Sequence, residues 1–156
     1  MSTMIEKVPF SKKMVLRHLI ELYNYDFSEF TDEDVNEFGL YDYKFLDHYW
    51  TEPDRYPFFI KVDGQYAGFA LVRKHGDVAA FSMAEFFVMK RYRKMGVGKT
   101  VALYLFNTFK GKWELSAVEE NVPAQMFWRK VIHEHSNGKF SEKISDFDDS
   151  IFTFET

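Results

Sequence analysis

Ten consecutive residues, KRYRKMGVGK from Lys90 to Lys99, hold five basic side chains, two glycines and no acid. The chain's net charge is −4, so taking away the +5 of this run leaves −9 for everything else. The run follows an apolar segment and precedes helical spacing at Val97, Val101, Leu105 and Phe109. It therefore falls at a helix N-terminus, where backbone N–H groups lack partners and the helix dipole is positive. Gly96 and Gly98 let a ligand approach the backbone. The chemistry this predicts is a cradle for phosphate or pyrophosphate. Two nucleotide motifs fail on single residues. A Walker A loop needs glycine five positions before Gly98, where Arg93 stands, and a dinucleotide fingerprint needs it three after, where Val101 stands.

Glu85 is the second residue of chemical interest. It interrupts the apolar stretch Phe81–Met89, and alternation places it on one face with Met83, Phe87 and Met89. Partial desolvation there raises a carboxyl pKa toward the range useful to a general base, acting directly or through water. The competing readings are a surface residue on one side of the strand and a structural ion-pair partner. Cysteine is absent, which removes disulfides, thiolate metal sites and a cysteine nucleophile. The five histidines show no ligand spacing, and His133 and His135 are two apart, so no metal is expected.

The elements that must position these residues follow from periodicity and turn residues. Ile5–Phe10 reads as a strand ending at Pro9, and Ser11 as the N-cap of a helix to about Tyr25. That helix has Val15, Leu19, Leu22 and Tyr23 at helical spacing. A short helix is expected near Tyr41–Trp50, then a break at Pro53 and Pro57. Phe58–Val62 and Tyr66–Lys74 flank Asp63-Gly64 as a hairpin, and Val78–Met89 is a third strand. Helix 97–109 ends with Gly111 as its glycine cap, and Trp113–Val118 is a strand. Asn121 and Pro123 open a further helix, with Ala124, Phe127, Val131 and Trp128 on its buried side. Phe140–Ile144 and Ile151–Phe154 close the chain as strands. Strand 78–89, helix 97–109 and strand 113–118 form a β-α-β unit, whose strands must be parallel.

Arg93-x-x-Gly96-x-Gly98 after an apolar strand resembles the acetyl-CoA loop of the GNAT family of N-acetyltransferases. Asn121, Ala124, Phe127 and Trp128 stand as the family places an Asn, an Ala and an aromatic pair in the next helix. The order of elements agrees from about Ile5 to Phe154. The resemblance implies a mixed α/β fold: a single domain over residues 1–156 with a mostly antiparallel sheet and one parallel pair splayed around the cofactor. It implies that the backbone of Arg93, Lys94, Met95, Gly96, Val97, Gly98 and Lys99 holds the pyrophosphate of coenzyme A. Phe87, Val88 and Met89 would pair with the pantetheine arm, and the Val88 N–H would serve the thioester oxygen. Asn121 would hydrogen-bond the arm while also capping its helix, with Ala124 beside it, and Phe127 and Trp128 would flank the arm or the thiol. Two positions depart from the family. Trp128 replaces a frequent Tyr whose hydroxyl protonates the leaving thiolate, and an indole cannot supply that proton. Lys90 replaces a frequent Pro.

Composition bounds the remainder. The 156 residues suffice for one domain with a sizeable core, and 19% are aromatic. The negative balance argues against a general nucleic-acid coat. MSTMIEKVPFSKK has no apolar run between its charges and nothing approaches the roughly 18 apolar residues of a membrane span, so a cytoplasmic protein without membrane contact is expected. Asp26, Glu29, Asp32, Glu33, Asp34 and Glu37 would attract a cationic acceptor such as a polyamine, an aminoglycoside-like molecule or a Lys-rich peptide. A solubilising surface is the other reading. The function expected is acetyl transfer from acetyl-CoA to a primary amine by direct attack. The alternatives are a non-catalytic acetyl-CoA-binding or sensing module and, more remotely, a nucleotide-binding protein of another family. A homodimer is compatible with either of the first two.

Overall fold

The computed structural model describes residues 1–78 and 80–156. Ala79, part of the expected strand 78–89, lies outside the described residues. The elements run β1 (Thr3–Lys7), α1 (Lys13–Phe27), α2 (His48–Thr51), β2 (Arg55–Val62), β3 (Gln65–His75), β4 (Ala80–Val88), α3 (Val97–Thr108), β5 (Lys112–Ala117), α4 (Val122–Ser136), β6 (Phe140–Ile144) and β7 (Ser150–Glu155). One sheet of seven strands has the order β1-β2-β3-β4-β5-β7-β6. Every neighbouring pair is antiparallel except β4 and β5, which are parallel as the crossover through α3 requires.

Each face of the sheet carries its own core. Phe59, Phe69, Leu71 and Phe87 pack with Leu16, Leu19 and Ile20 of α1. Their strand neighbours Ile60, Ala70 and Val72 face the other way, toward α3 and α4. There Trp113 is fully buried, with Phe106 and Phe154 rings 4.9 and 6.2 Å from it. These rings supply much of the apolar area removed from water.

Several boundaries differ from the sequence reading, each for a local reason. β1 ends at Lys7, and residues Phe10–Lys12 form a 3-10 turn held by the Lys12 amide donating to Pro9 O at 2.9 Å. Ser11 therefore caps nothing, and α1 starts at Lys13 without a side-chain cap. The buried stripe of α1 is Leu16, Leu19 and Ile20, whereas Leu22 is half-exposed. The helix is apolar over a wide arc, and only the sheet face selects which part is covered. The expected helix 41–50 shrinks to His48–Thr51. The Glu21 carboxylate takes the amides of Tyr41 and Asp42, each at 2.8 Å, and Asp42 sits at φ +60°. The positive φ at Asp42 breaks a helix there.

Pro57 lies inside β2 instead of breaking it. Its carbonyl accepts from the Val8 amide, so the missing N–H points to the β1 side, just past the last register pair Lys7↔Phe58. At the other end of the chain, α3 ends with Phe109 as its C-cap, and Gly111 at φ +133° forms the turn into β5 instead of capping the helix.

Candidate functional site

Among the described residues, β4 and β5 pair only at Ala80↔Lys112 and Phe81↔Trp113. Beyond that point β4 keeps β3 as its partner and parts from β5. The Met89 amide donates to Ala67 O at 2.8 Å. Antiparallel alternation then turns the polar groups of Val88 away from β3, into the opening, and those of Phe87 and Met89 toward β3. Of the three residues expected along the cofactor arm, Val88 alone offers backbone groups to the gap. The Phe87 side chain is buried against α1, with Met89 packed on the same cluster.

Gly68 allows this approach of strands. A Cβ built there would lie 1.9 Å from Phe87 O and 3.1 Å from Val88 Cα. Backbone atoms cannot yield as a flexible side chain can. Gly68→Ala is expected to cost about 3 kcal/mol, lowering the melting temperature by roughly 6–12 °C. Calorimetry of the two proteins at equal concentration checks it; an unchanged melting temperature would show that β3 and β4 separate freely at Val88.

The basic loop folds over the end of this opening. Lys94 at φ +61° and Gly96 at φ +80° turn the chain into α3. The first helical bond runs from Thr100 N to Gly96 O at 3.0 Å, which leaves the amides of Val97, Gly98 and Lys99 without intrahelical acceptors. Nothing lies within 4 Å of a Cβ at Gly96. Gly98 has a different reason for being glycine: its Cβ would sit 3.1 Å from Phe127 Cε1, so its smallness serves the packing of α3 on α4.

The positive charge of the loop is partly compensated. Arg93 donates from Nε to Val88 O at 2.7 Å and from its guanidinium to Asp26 at 2.6 Å. Lys90 lies 3.6 Å from Asp26, and Lys99 pairs with Glu134 at 2.7 Å. Among the described residues, Arg91 and Lys94 have no acidic partner. Lys99 thus has a backbone amide free of helical bonds while its side chain is occupied on α4. Met95 is exposed in the turn.

On the β5 side, Asn121 caps α4 through Oδ1, which accepts from the Ala124 amide at 3.1 Å. Its amide nitrogen has no partner among the described residues. Ala124 and Phe127 are half-buried. The Phe127 ring stacks on Phe86 at 5.9 Å, and Trp128 meets Phe86 edge-on at 5.0 Å. Trp128 is 6% exposed and belongs to the α3–α4 core, so it stiffens the wall of the gap.

Glu85 does not share a face with Met83. The pairing of β3 with β4 slips between Leu71↔Glu85 and Val72↔Met83, which leaves Ala84 as an extra residue. This β-bulge interrupts alternation. Met83 packs with α3 and α4, whereas Glu85 turns to α1, where the Tyr23 hydroxyl donates to its Oε2 at 2.5 Å. Burial pushes the carboxyl up to about 7, the Tyr23 bond opposes this, and the nearby Glu33 charge adds to it. The sequence marked Asp26 as one of the acids attracting a cationic acceptor and Tyr23 as a residue at helical spacing; the bond of Tyr23 to Glu85 and the pairing of Asp26 with Arg93 had no signal there.

Residues 16–133 match the acetyltransferase (GNAT) family. An acetyltransferase from Thermus thermophilus superposes with a TM-score of 0.75 at 12% identity, covering 100% of this chain and 98% of that one. The PaiA N-acetyltransferase of Thermoplasma acidophilum, in complex with coenzyme A, gives 0.69 at 15% identity with both chains covered completely. An aminoglycoside acetyltransferase in complex with coenzyme A gives 0.69 at 10% identity, covering 99% and 95%. At such identities the likeness is one of fold. No curated protein sequence matches the chain.

Proposed function

Because the chain belongs to the acetyltransferase (GNAT) family, we propose that it transfers the acetyl group of acetyl-CoA to a primary amine of a small molecule or peptide by direct attack. The observation that carries this reading is the opening between β4 and β5, with Val88 on its edge and a helix N-terminus at its mouth. The cradle fits a pyrophosphate: three amides are free of helical bonds, and the space above Gly96 is open. The amides of Val97, Gly98 and Lys99 would hold it, with Arg91 and Lys94 adding charge. Asn121 would offer its amide nitrogen to the pantetheine arm.

The thioester supplies the acetyl group. The Val88 N–H stabilises the negative charge that builds on its oxygen. Glu85, with a carboxyl near neutrality, accepts the proton that the attacking amine must lose. The new C–N bond replaces the C–S bond, and the thiolate leaves. No hydroxyl stands at position 128, and the proton balance closes through solvent: Glu85 releases to water the proton it accepted, and the thiolate takes one up. Glu29, Asp32, Glu33, Asp34 and Glu37 are exposed after α1, and the Glu33 charge is felt at Glu85, which favours a cationic acceptor. Asp26 is already engaged by Arg93 and Lys90. Among the described residues no helix is long and apolar enough to cross a membrane.

The buried Trp128 favours a second reading, a module that binds acetyl-CoA without turning it over. One experiment separates the two. Thermal-shift titration should show saturable stabilisation by acetyl-CoA and CoA, by roughly 5–10 °C at 100 times Kd, and none by ATP or NADH. Thiol release over a panel of cationic amines then marks the enzyme; binding with no thiol release from any amine marks the sensor. Stabilisation by ATP or NADH alone would overturn both.

A further inference from the structure

We infer that Tyr23 is a positioning residue for the reaction, holding Glu85 by its Oε2 and leaving Oε1 open; this rests on the reading of Glu85 as the base. The bond joins α1 to β4 across 62 positions of sequence. Both ends are anchored. The Tyr23 ring lies between Phe69 at 5.5 Å, Phe87 at 5.6 Å and Phe27 at 5.7 Å, so its hydroxyl has one place to be. Glu85 follows the bulge at Ala84, which is what turns it toward α1. Oε1 has no hydrogen-bond partner among the described residues, yet it is not among the unpartnered polar atoms sealed from solvent. One carboxylate oxygen is therefore spent on orientation and the other remains for a proton.

The groups facing this pair are few. Tyr23 and Asp26 come from α1, Glu33 from the segment after it, and Tyr43 and Tyr49 from the segment before β2, with Arg55 of β2 beside the two tyrosines. The β3 residue opposite Glu85 is Leu71, which carries no charge. Burial and the Glu85 charge raise the Tyr23 pKa far above its usual value, so the phenol stays protonated and donates throughout the working range. The hydroxyl is committed to Glu85 Oε2, and orientation is the task this geometry gives it.

The test is Tyr23→Phe, which keeps the ring and removes the donor. Without the bond the Glu85 carboxylate loses stabilisation, so its pKa rises further, by roughly one pH unit. Two independent readouts follow it: the carbon-13 shift of the Glu85 carboxyl, assigned by its loss in Glu85→Gln, and the acid limb of kcat/KM. We expect both to move upward together, with kcat about 5-fold lower at pH 7 as the ionised fraction of Glu85 falls, and KM for acetyl-CoA unchanged. An unmoved carboxyl titration overturns this inference and leaves Glu85 as base intact. A carboxyl that moves while the acid limb stays put overturns Glu85 as base, and the role of Tyr23 in the reaction with it. Wild-type protein carrying carbon-13 at tyrosine Cζ gives a check that needs no variant. The Tyr23 signal should follow the Glu85 titration with the same midpoint, and a flat signal overturns the bond.

Discussion

Glu85→Gln should lower kcat by about 10²- to 10³-fold while leaving the Kd for acetyl-CoA unchanged. The amide is isosteric and still accepts from Tyr23, so the loss isolates the proton-accepting step. Wild-type kcat/KM should rise with pH through the Glu85 pKa of about 7, and the residual rate of the variant should lack that limb. Stability runs the opposite way. A carboxyl whose pKa is raised from 4.5 to about 7 on folding binds more protons in the folded protein than in the unfolded one across that window. Its contribution is fully present below pH 4.5 and is lost as pH rises through 7. At pH 8 the buried charge should therefore make wild type less stable than the variant. The full shift converts to roughly 3 kcal/mol, and partial solvent access reduces this to about 2 kcal/mol. Equal rates for the two proteins would remove Glu85 from the mechanism. A wild type that gains stability relative to the variant between pH 5 and pH 8 would reverse the assigned sign.

Gly96→Glu should weaken acetyl-CoA binding by at least roughly 100-fold, about 2.7 kcal/mol. The position is at φ +80°, so any side chain strains the turn, and a carboxylate would stand in front of the free amides of α3. Folding should suffer much less than binding, since the Cβ meets nothing within 4 Å and an acid at a helix N-terminus is favourable. Gly96→Ala separates the two effects: it carries the backbone strain without the charge, and should lose well under 10-fold. Isothermal titration of all three proteins with CoA decides this. Undiminished binding by the glutamate variant would place the pyrophosphate elsewhere.

The loop was legible because everything it needs is local. Arg93, Gly96, Gly98 and the apolar strand before them lie within twenty residues, and a strand-to-helix turn has few conformations. Asn121 with Pro123 was legible for the same reason, since a capping side chain reaches only its own first turn. The order of the eleven elements, from β1 through β7, also follows from pattern alone. The sense of Gly98 did not follow. Its role depends on Phe127, a residue on another helix.

Glu85 shows where pattern reading ends. Its apolar setting marked it, but alternation assigned it the wrong companion. One inserted residue at Ala84 sends Met83 to the α3–α4 core and Glu85 to Tyr23. A bulge leaves no signature in β4 itself, because it is a property of the pairing with β3. The Asp26–Arg93 pair and the contact of Gly68 with Phe87 have the same origin: each joins residues far apart in the chain, and neither partner announces the other. Composition, turn residues and hydrophobic period settle what short-range forces settle: the elements, their order and a basic, glycine-containing turn at a helix N-terminus. The register of β3 on β4 and the docking of α1 are settled by packing over the whole molecule, and they choose which oxygen, which amide and which ring meet.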